Sequence, residues 1–191
     1  LERGPVVRLE LFRTRDDAHV GLLCMHHIVS DGWSMGVFLR ELARIYDAYA
    51  EGRNSPLPEL PIQYADYAVW QRQWLQGDDF ARQLAYWKKQ LGGALPVLEL
   101  PTDRPRPVGQ PSHRGATRSF VLPEDLCLRL KALGKTRNAT LFMTLLAAFQ
   151  TLLYKYTGQH DLLVGSPIAN RNREQNEGLI GFFVNSLVLR T

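Results

Sequence analysis

Only two cysteines, Cys24 and Cys127, occur in 191 residues. Neither has a second cysteine at metal or redox spacing, which excludes a disulfide framework and leads to the expectation of reduced, buried thiols in a cytoplasmic protein. A membrane-length run is also missing. The most apolar stretch, Ala139 to Leu153, is interrupted by Thr140, Thr144 and Gln150 and falls short of the roughly 20 apolar residues a span requires, so no membrane segment is expected. There is no charge cluster either. The 23 basic and 19 acidic residues leave a net charge of +4, and the basic ones are scattered along the chain. A nucleic-acid partner would call for local concentration and is not expected, although the sign is compatible with anionic partners. The chain begins Leu-Glu-Arg-Gly-Pro, with neither an initiator methionine nor a signal pattern, as a segment cut from a longer protein would. What remains is an ordinary globular composition, 45% apolar and 22% charged, long enough to enclose a core.

The periodicities predict an α/β chain in mixed order. Val6 to Arg13 alternates, and His19 to Val29 follows the turn signal Asp16-Asp17 as the second strand of a hairpin. That second run is apolar on both faces, which predicts a strand buried on both sides within a sheet. After Ser30-Asp31-Gly32 the period becomes helical from Ser34 to Gly52, with Phe38, Leu42, Ile45, Tyr46 and Tyr49 on one stripe. Two helices over 62–75 and 78–91, the first started by Pro61, carry Trp70, Trp74 and Trp87 at core-facing spacing. Five prolines between Pro96 and Gly115 mark an extended arm or linker. Beyond it come a short strand over 117–122, helices over 123–136 and 139–156, the latter closed by Gly158, and two buried strands over 161–168 and 182–189.

Ionisable residues enter abruptly at Met25-His26-His27-Ile28-Val29-Ser30-Asp31-Gly32-Trp33-Ser34-Met35. Strand alternation sends His26 and His27 to opposite faces, so they cannot clamp one metal ion, and no metal site is expected. One imidazole is then structural and the other faces a cleft. Asp31 either orients a ring or caps the turn. An overlapping pattern, Gly32-Trp33-Ser34-Met35-Gly36, matches the G-x-S-x-G nucleophile elbow between a strand and a helix. Against a serine hydrolase, no HGGG-type segment lies upstream, and His113 and His160 downstream carry no signature. The plainer role for Ser34 is to cap the following helix.

The run His26-His27-Ile28-Val29-Ser30-Asp31-Gly32 resembles the HHxxxDG motif of the condensation domains of non-ribosomal peptide synthetases. Tyr64-Ala65-Asp66-Tyr67-Ala68-Val69-Trp70-Gln71 and the segment from Ile180 to Arg190 resemble the family's next two motifs, in the same order. The resemblance implies a chloramphenicol-acetyltransferase-like two-lobed fold, with this chain covering less than half of the domain. Residues 1–60 would be the end of the N-terminal lobe and 61–191 the inter-lobe helices and start of the C-terminal lobe, with the boundary as late as 92–115.

It further implies amide formation between donor and acceptor aminoacyl thioesters held on the phosphopantetheine arms of carrier domains, with upstream and downstream carrier domains and an adenylation domain as partners and no cofactor of its own. His27 would be the catalytic histidine, acting as general base or by orienting the amine, with the Gly32 N–H as an oxyanion contact. His26 and Asp31 would be structural, and Trp33, Ser34 and Asn185 are candidate substrate contacts. In the family, the equivalent of Asp31 pairs with an arginine from an early region, so its partner is expected to lie outside this chain. Arg171 and Arg173 are then left either to attract the pantetheine phosphate or to sit in an exposed loop, and the tryptophans offer carrier docking as a second role. The residues after His27 resemble domains that join two L-residues, and His26 disfavours heterocyclisation, where the leading histidine is replaced by aspartate. A coenzyme-A-dependent acyltransferase of the same superfamily and the serine hydrolase are the alternatives. The isolated chain is expected to be inactive, and to aggregate through unpaired sheet edges.

Overall fold

In the computed structural model, which describes residues 1–104 and 114–191, the chain forms two compact units. One comprises Leu1–Gln90 and Gly165–Leu187, the other Leu91–Val164 and Val188–Thr191. The middle of the proline-rich stretch, together with His113, lies outside the described residues.

The first unit opens with the expected hairpin. Strands β1 (Val7–Arg15) and β2 (Ala18–Met25) pair antiparallel around Asp16-Asp17, in a register running from Val7 opposite Met25 to Arg13 opposite His19. Burial of β2 on both faces is not observed. β1 is its one partner strand among the described residues, and Val20 and Leu22 are about half exposed. An apolar run favours burial, but burial needs partner strands and a packed layer on each face. Cys24 is accordingly exposed and Cys127 half-buried, correcting the expectation of buried thiols.

Helix α1 (Gly32–Ala50) starts two residues before the expected Ser34, because Asp31 and not Ser34 is its cap: the Asp31 carboxylate accepts the Ser34 N–H. Its buried positions are Ser34, Val37 and Ala48, whereas Leu42, Tyr46 and Tyr49 from the predicted stripe are exposed. Helices α2 (Tyr64–Trp74) and α3 (Asp78–Gln90) follow. Pro61 precedes α2 rather than starting it, and the helix begins where Asp66 turns back to accept the Gln63 N–H at 2.7 Å. The core of this unit is Tyr67, Leu179 and Phe183, with Ile62, Tyr64 and Trp70 packed around it. Trp70 and Trp87 are half-buried and Trp74 exposed, so none of the three reaches the core fully.

In the second unit α4 (Glu124–Thr136) and α5 (Leu141–Thr157) pack on one another. No strand forms over 117–122, where Phe120 and Val121 are almost fully exposed and lack a ladder partner. Gly158 ends α5 with φ of 70°, a left-handed conformation that glycine adopts without a Cβ penalty. At the other end the Thr140 hydroxyl accepts the Met143 N–H at 3.2 Å. Thr140→Ala is expected to lower stability by about 1 kcal/mol, read as a shift of the urea midpoint without a change in slope.

Strands β3 (Leu163–Ile168) and β4 (Asn185–Arg190) pair with each other, separated in sequence by the single turn of α6 (Glu174–Glu177). Next to them Leu162 and Thr191 exchange both backbone hydrogen bonds, the reciprocal pattern of an antiparallel pair. Arg190 donates to both Asp161 oxygens, and those hydrogen bonds hold the Asp161 carboxyl below its ordinary range. No helix among the described residues is long and apolar enough to cross a membrane.

Candidate functional site

The densest polar network of the first unit lies under the N-terminus of α1. Asp31, 2% exposed, turns one oxygen to the Ser34 N–H at 2.8 Å and the other to the Phe183 N–H at 3.1 Å. Arg171 closes the site from the far end of the chain. Its Nη2 lies 3.1 Å from Asp31 Oδ1 and 2.8 Å from the Ser34 hydroxyl, while Nη1 donates to the carbonyls of Leu179, at 2.8 Å, and Asn176. The guanidinium carbon stands 4.0 Å from the centre of the Phe183 ring, within reach of a cation–π contact. Burial alone would push the Asp31 carboxyl up. The Ser34 amide and hydroxyl, the Phe183 amide and the Arg171 charge outweigh it and hold the carboxyl below its ordinary value.

Ser34 is fully buried and saturated. Its hydroxyl accepts from Gly181 N at 3.1 Å and from Arg171, and its one proton lies between Asp31 Oδ1 at 2.7 Å and the Gly181 carbonyl at 2.8 Å. No imidazole among the described residues touches it, and His160 instead packs against Tyr154. A serine nucleophile needs an exposed hydroxyl and an adjacent base. This removes Ser34 both as a nucleophile and as a substrate contact. Tyr64 backs the same loop by donating to the Phe182 carbonyl at 2.8 Å. Burial, with the Asp31 charge adding to it, raises the Tyr64 hydroxyl and keeps it a donor.

Both histidines lie just past the end of β2, in the turn that leads to α1, and both are exposed. The expected alternation and the buried His26 are therefore corrected, because the strand ends at Met25. The His26 backbone extends the ladder by donating to Val6 O at 2.8 Å, while its Nδ1 accepts the Ile28 N–H at 3.0 Å and braces the turn. His27 stands edge-on to Phe182, ring centres 5.3 Å apart, over an open cleft lined by Leu23, Met25, Ser30, Asp31, Gly32 and Met35. Gly32 supplies the first amide of α1, one of those a helix leaves without an internal partner, and a Cβ there would meet nothing within 4 Å. Trp33 spends its indole N–H on the Glu177 carbonyl at 2.9 Å, so only its half-exposed ring faces outward. Asn185, exposed at the start of β4, accepts the Ser186 N–H with its side-chain oxygen.

The residue missed in the sequence is Arg171. It was expected either at an exposed loop or near a phosphate, and the partner of Asp31 was expected outside the chain. The structure places Arg171 on Asp31 with a side chain 1% exposed. No local sequence signal marked it: the turn is visible only in the structure, where Asn170 takes a positive φ of 55°, which asparagine tolerates better than most residues. That backbone turn precedes the inward-pointing arginine. No group of acids, histidines and cysteines suited to a metal ion occurs among the described residues.

A histidine pair at a strand exit, beside an aspartate locked from within, defines the HHxxxDG class of the chloramphenicol-acetyltransferase-like α/β fold. Within that class the chain belongs to the condensation domain family, whose model matches residues 1–191. It is 58% identical over its whole length to one of the linear gramicidin synthase polypeptides of Brevibacillus parabrevis, of which it covers 2%. Among solved structures it is similar to the X-domain from teicoplanin biosynthesis, with a TM-score of 0.88 and 32% identity over 99% of this chain and 43% of that one. It also resembles the first condensation domain of the calcium-dependent antibiotic synthetase, solved with a substrate analogue. There the TM-score is 0.69 and the identity 26%, over 97% of this chain and 41% of the other. The chain therefore spans about two-fifths of these solved relatives and a small part of the gramicidin synthase polypeptide.

Proposed function

We propose that this chain is the central part of a domain that joins a donor acyl thioester to the amine of an acceptor aminoacyl thioester. The observation that carries the reading is a division of labour within one motif. Asp31 and Ser34 are buried in a structural lock, while His27 and the Gly32 amide stand exposed at the same cleft. The acceptor amine attacks the donor carbonyl carbon, a C–N bond forms and the C–S bond breaks. The amine proton passes to the departing thiolate, with His27 taking it or holding the amine in line. The Gly32 N–H receives the developing oxyanion, and the missing Cβ lets the carbonyl approach the backbone. The outward ring of Trp33 and the free amide N–H groups of Asn185 are substrate contacts.

Both thioesters are carried on phosphopantetheine arms of upstream and downstream carrier domains, in a cytoplasmic synthetase that also holds an adenylation domain. The small share of the gramicidin synthase polypeptide that this chain covers supports such a multidomain setting. The pair joined is two L-residues.

The test is single-turnover amide formation in the complete parent domain with both carriers loaded. His27→Ala is expected to lower the rate by about two orders of magnitude or more without shifting the melting temperature, since the ring is exposed. An unchanged rate would remove His27 from the mechanism. Faster transfer from a coenzyme A thioester than from a loaded carrier would favour the acyltransferase reading instead.

A further inference from the structure

A second cavity of the first unit, of about 210 Å³, lies between α2 and the loop that runs from Asn170 into α6, and the amide-forming reading makes no use of it. One wall is aromatic: Trp70 and Trp74 stack nearly parallel, 16° apart, with ring centres at 5.8 Å. Arg173 lies over the Trp70 ring, its guanidinium carbon 3.9 Å from the ring centre. Such a contact spends none of the guanidinium N–H groups on a conventional hydrogen bond. Arg173 has no carboxylate partner among the described residues, and it is the one charged residue lining this cavity. The Asp66 carboxylate faces an adjoining cavity, where it also caps Gln63.

Two further donors meet there. Asn176 is 2% exposed, lines both cavities, and its side-chain amide makes no hydrogen bond to any described residue. Its amide N–H groups are therefore unspent donors at the cavity wall. Tyr67, 6% exposed, accepts at its hydroxyl oxygen from Gln71 at 2.9 Å and from Asn170 at 3.4 Å, which leaves its own proton to give. A cation, a phenol proton and an unspent amide therefore line one space beside an apolar platform; the carboxylate nearest to it, Asp66, lines the adjoining cavity that shares Tyr67, Trp70, Arg173 and Asn176, and is engaged by the Gln63 N–H.

We propose that this cavity binds an oxyanion on an apolar stem, a carboxylate or a phosphate ester, held by Arg173, Tyr67 and Asn176 with the stem against Trp74. A neutral ligand would leave the guanidinium unmatched, whereas two oxygens on one centre fit its planar fork.

The test is calorimetric titration of the complete parent domain with inorganic phosphate and, separately, with acetate. At least one is expected to bind, and the preferred one identifies the group as phosphate ester or carboxylate. Arg173→Gln, at an exposed position, is expected to weaken that binding at least about tenfold. Tyr67→Phe, which keeps the ring and removes one donor, is expected to weaken it severalfold. Melting curves of both variants confirm that the fold is retained. Binding of neither anion, or binding that survives both substitutions unchanged, would overturn the proposal.

Discussion

Replacing Arg171 by methionine is expected to destabilise the protein by about 3–5 kcal/mol. Methionine keeps much of the length and apolar contact of the side chain, so the loss reports on the charge together with its hydrogen bonds. Asp31 would remain 2% exposed without its cation, and the Leu179 carbonyl and Ser34 hydroxyl would each lose a donor. Asp31→Asn should cost a comparable amount by stranding the guanidinium. The double variant should cost clearly less than the sum, because no uncompensated charge stays buried. A urea-denaturation cycle measures all three, and full additivity would mean that the two residues do not act as a pair.

The pH dependence has a definite sign. The native carboxyl of Asp31 lies below its unfolded value, so its contribution is fully present above the ordinary carboxylate range. It is lost as the pH falls from that range towards the lowered native value. Wild-type stability should therefore drop in acid more steeply than that of the double variant, which has no such carboxylate.

This pair also shows how far the sequence can be read. The hairpin, the five long helices and the last two strands were legible, because each follows from a local period and a punctuating residue such as Asp16-Asp17 or Gly158. The HHxxxDG run was legible for the same reason, being contiguous. Three errors share one cause. The central burial assigned to β2, the alternation assigned to His26 and His27, and the loop role assigned to Arg171 each depend on what packs against the residue, and a local pattern does not carry that. Arg171 is 140 residues from Asp31, and nothing in Asn-Arg-Asn-Arg distinguishes the inward arginine from its neighbour Arg173, which turns outward to lie on Trp70. The sequence already weighs against Ser34 as a nucleophile, its plainer role there being the helix cap. A G-x-S-x-G pattern carries a nucleophile only when the turn exposes the hydroxyl, and here Asp31 takes the cap and draws Ser34 inside.

Gly181→Ala is expected to be the other severe substitution, at about 3 kcal/mol. A Cβ at this position would lie 2.6 Å from Cε2 of the Tyr64 ring and closer still to its Cδ2, well inside contact distance. The ring is poorly placed to yield. Its hydroxyl is tied to the Phe182 carbonyl, and the ring packs nearly perpendicular to Phe183 with ring centres 5.2 Å apart. Backbone retreat is blocked from the other side, where the Gly181 N–H and carbonyl both engage the Ser34 hydroxyl. The added methyl group must therefore break either the aromatic packing or the lock around Asp31.

Two controls separate this mechanism from a general intolerance of alanine. Removing the obstructing ring with Tyr64→Ala should make Gly181→Ala less costly than it is alone, giving a coupling of about 1 kcal/mol or more in the cycle. At Gly32, where the space is open, alanine should change stability by no more than about 0.5 kcal/mol. Its cost should appear instead as slower amide formation in the complete domain, because in the proposed mechanism the substrate carbonyl approaches the backbone at this position. Equal destabilisation at both glycines would show that the collision with Tyr64 is not what constrains position 181.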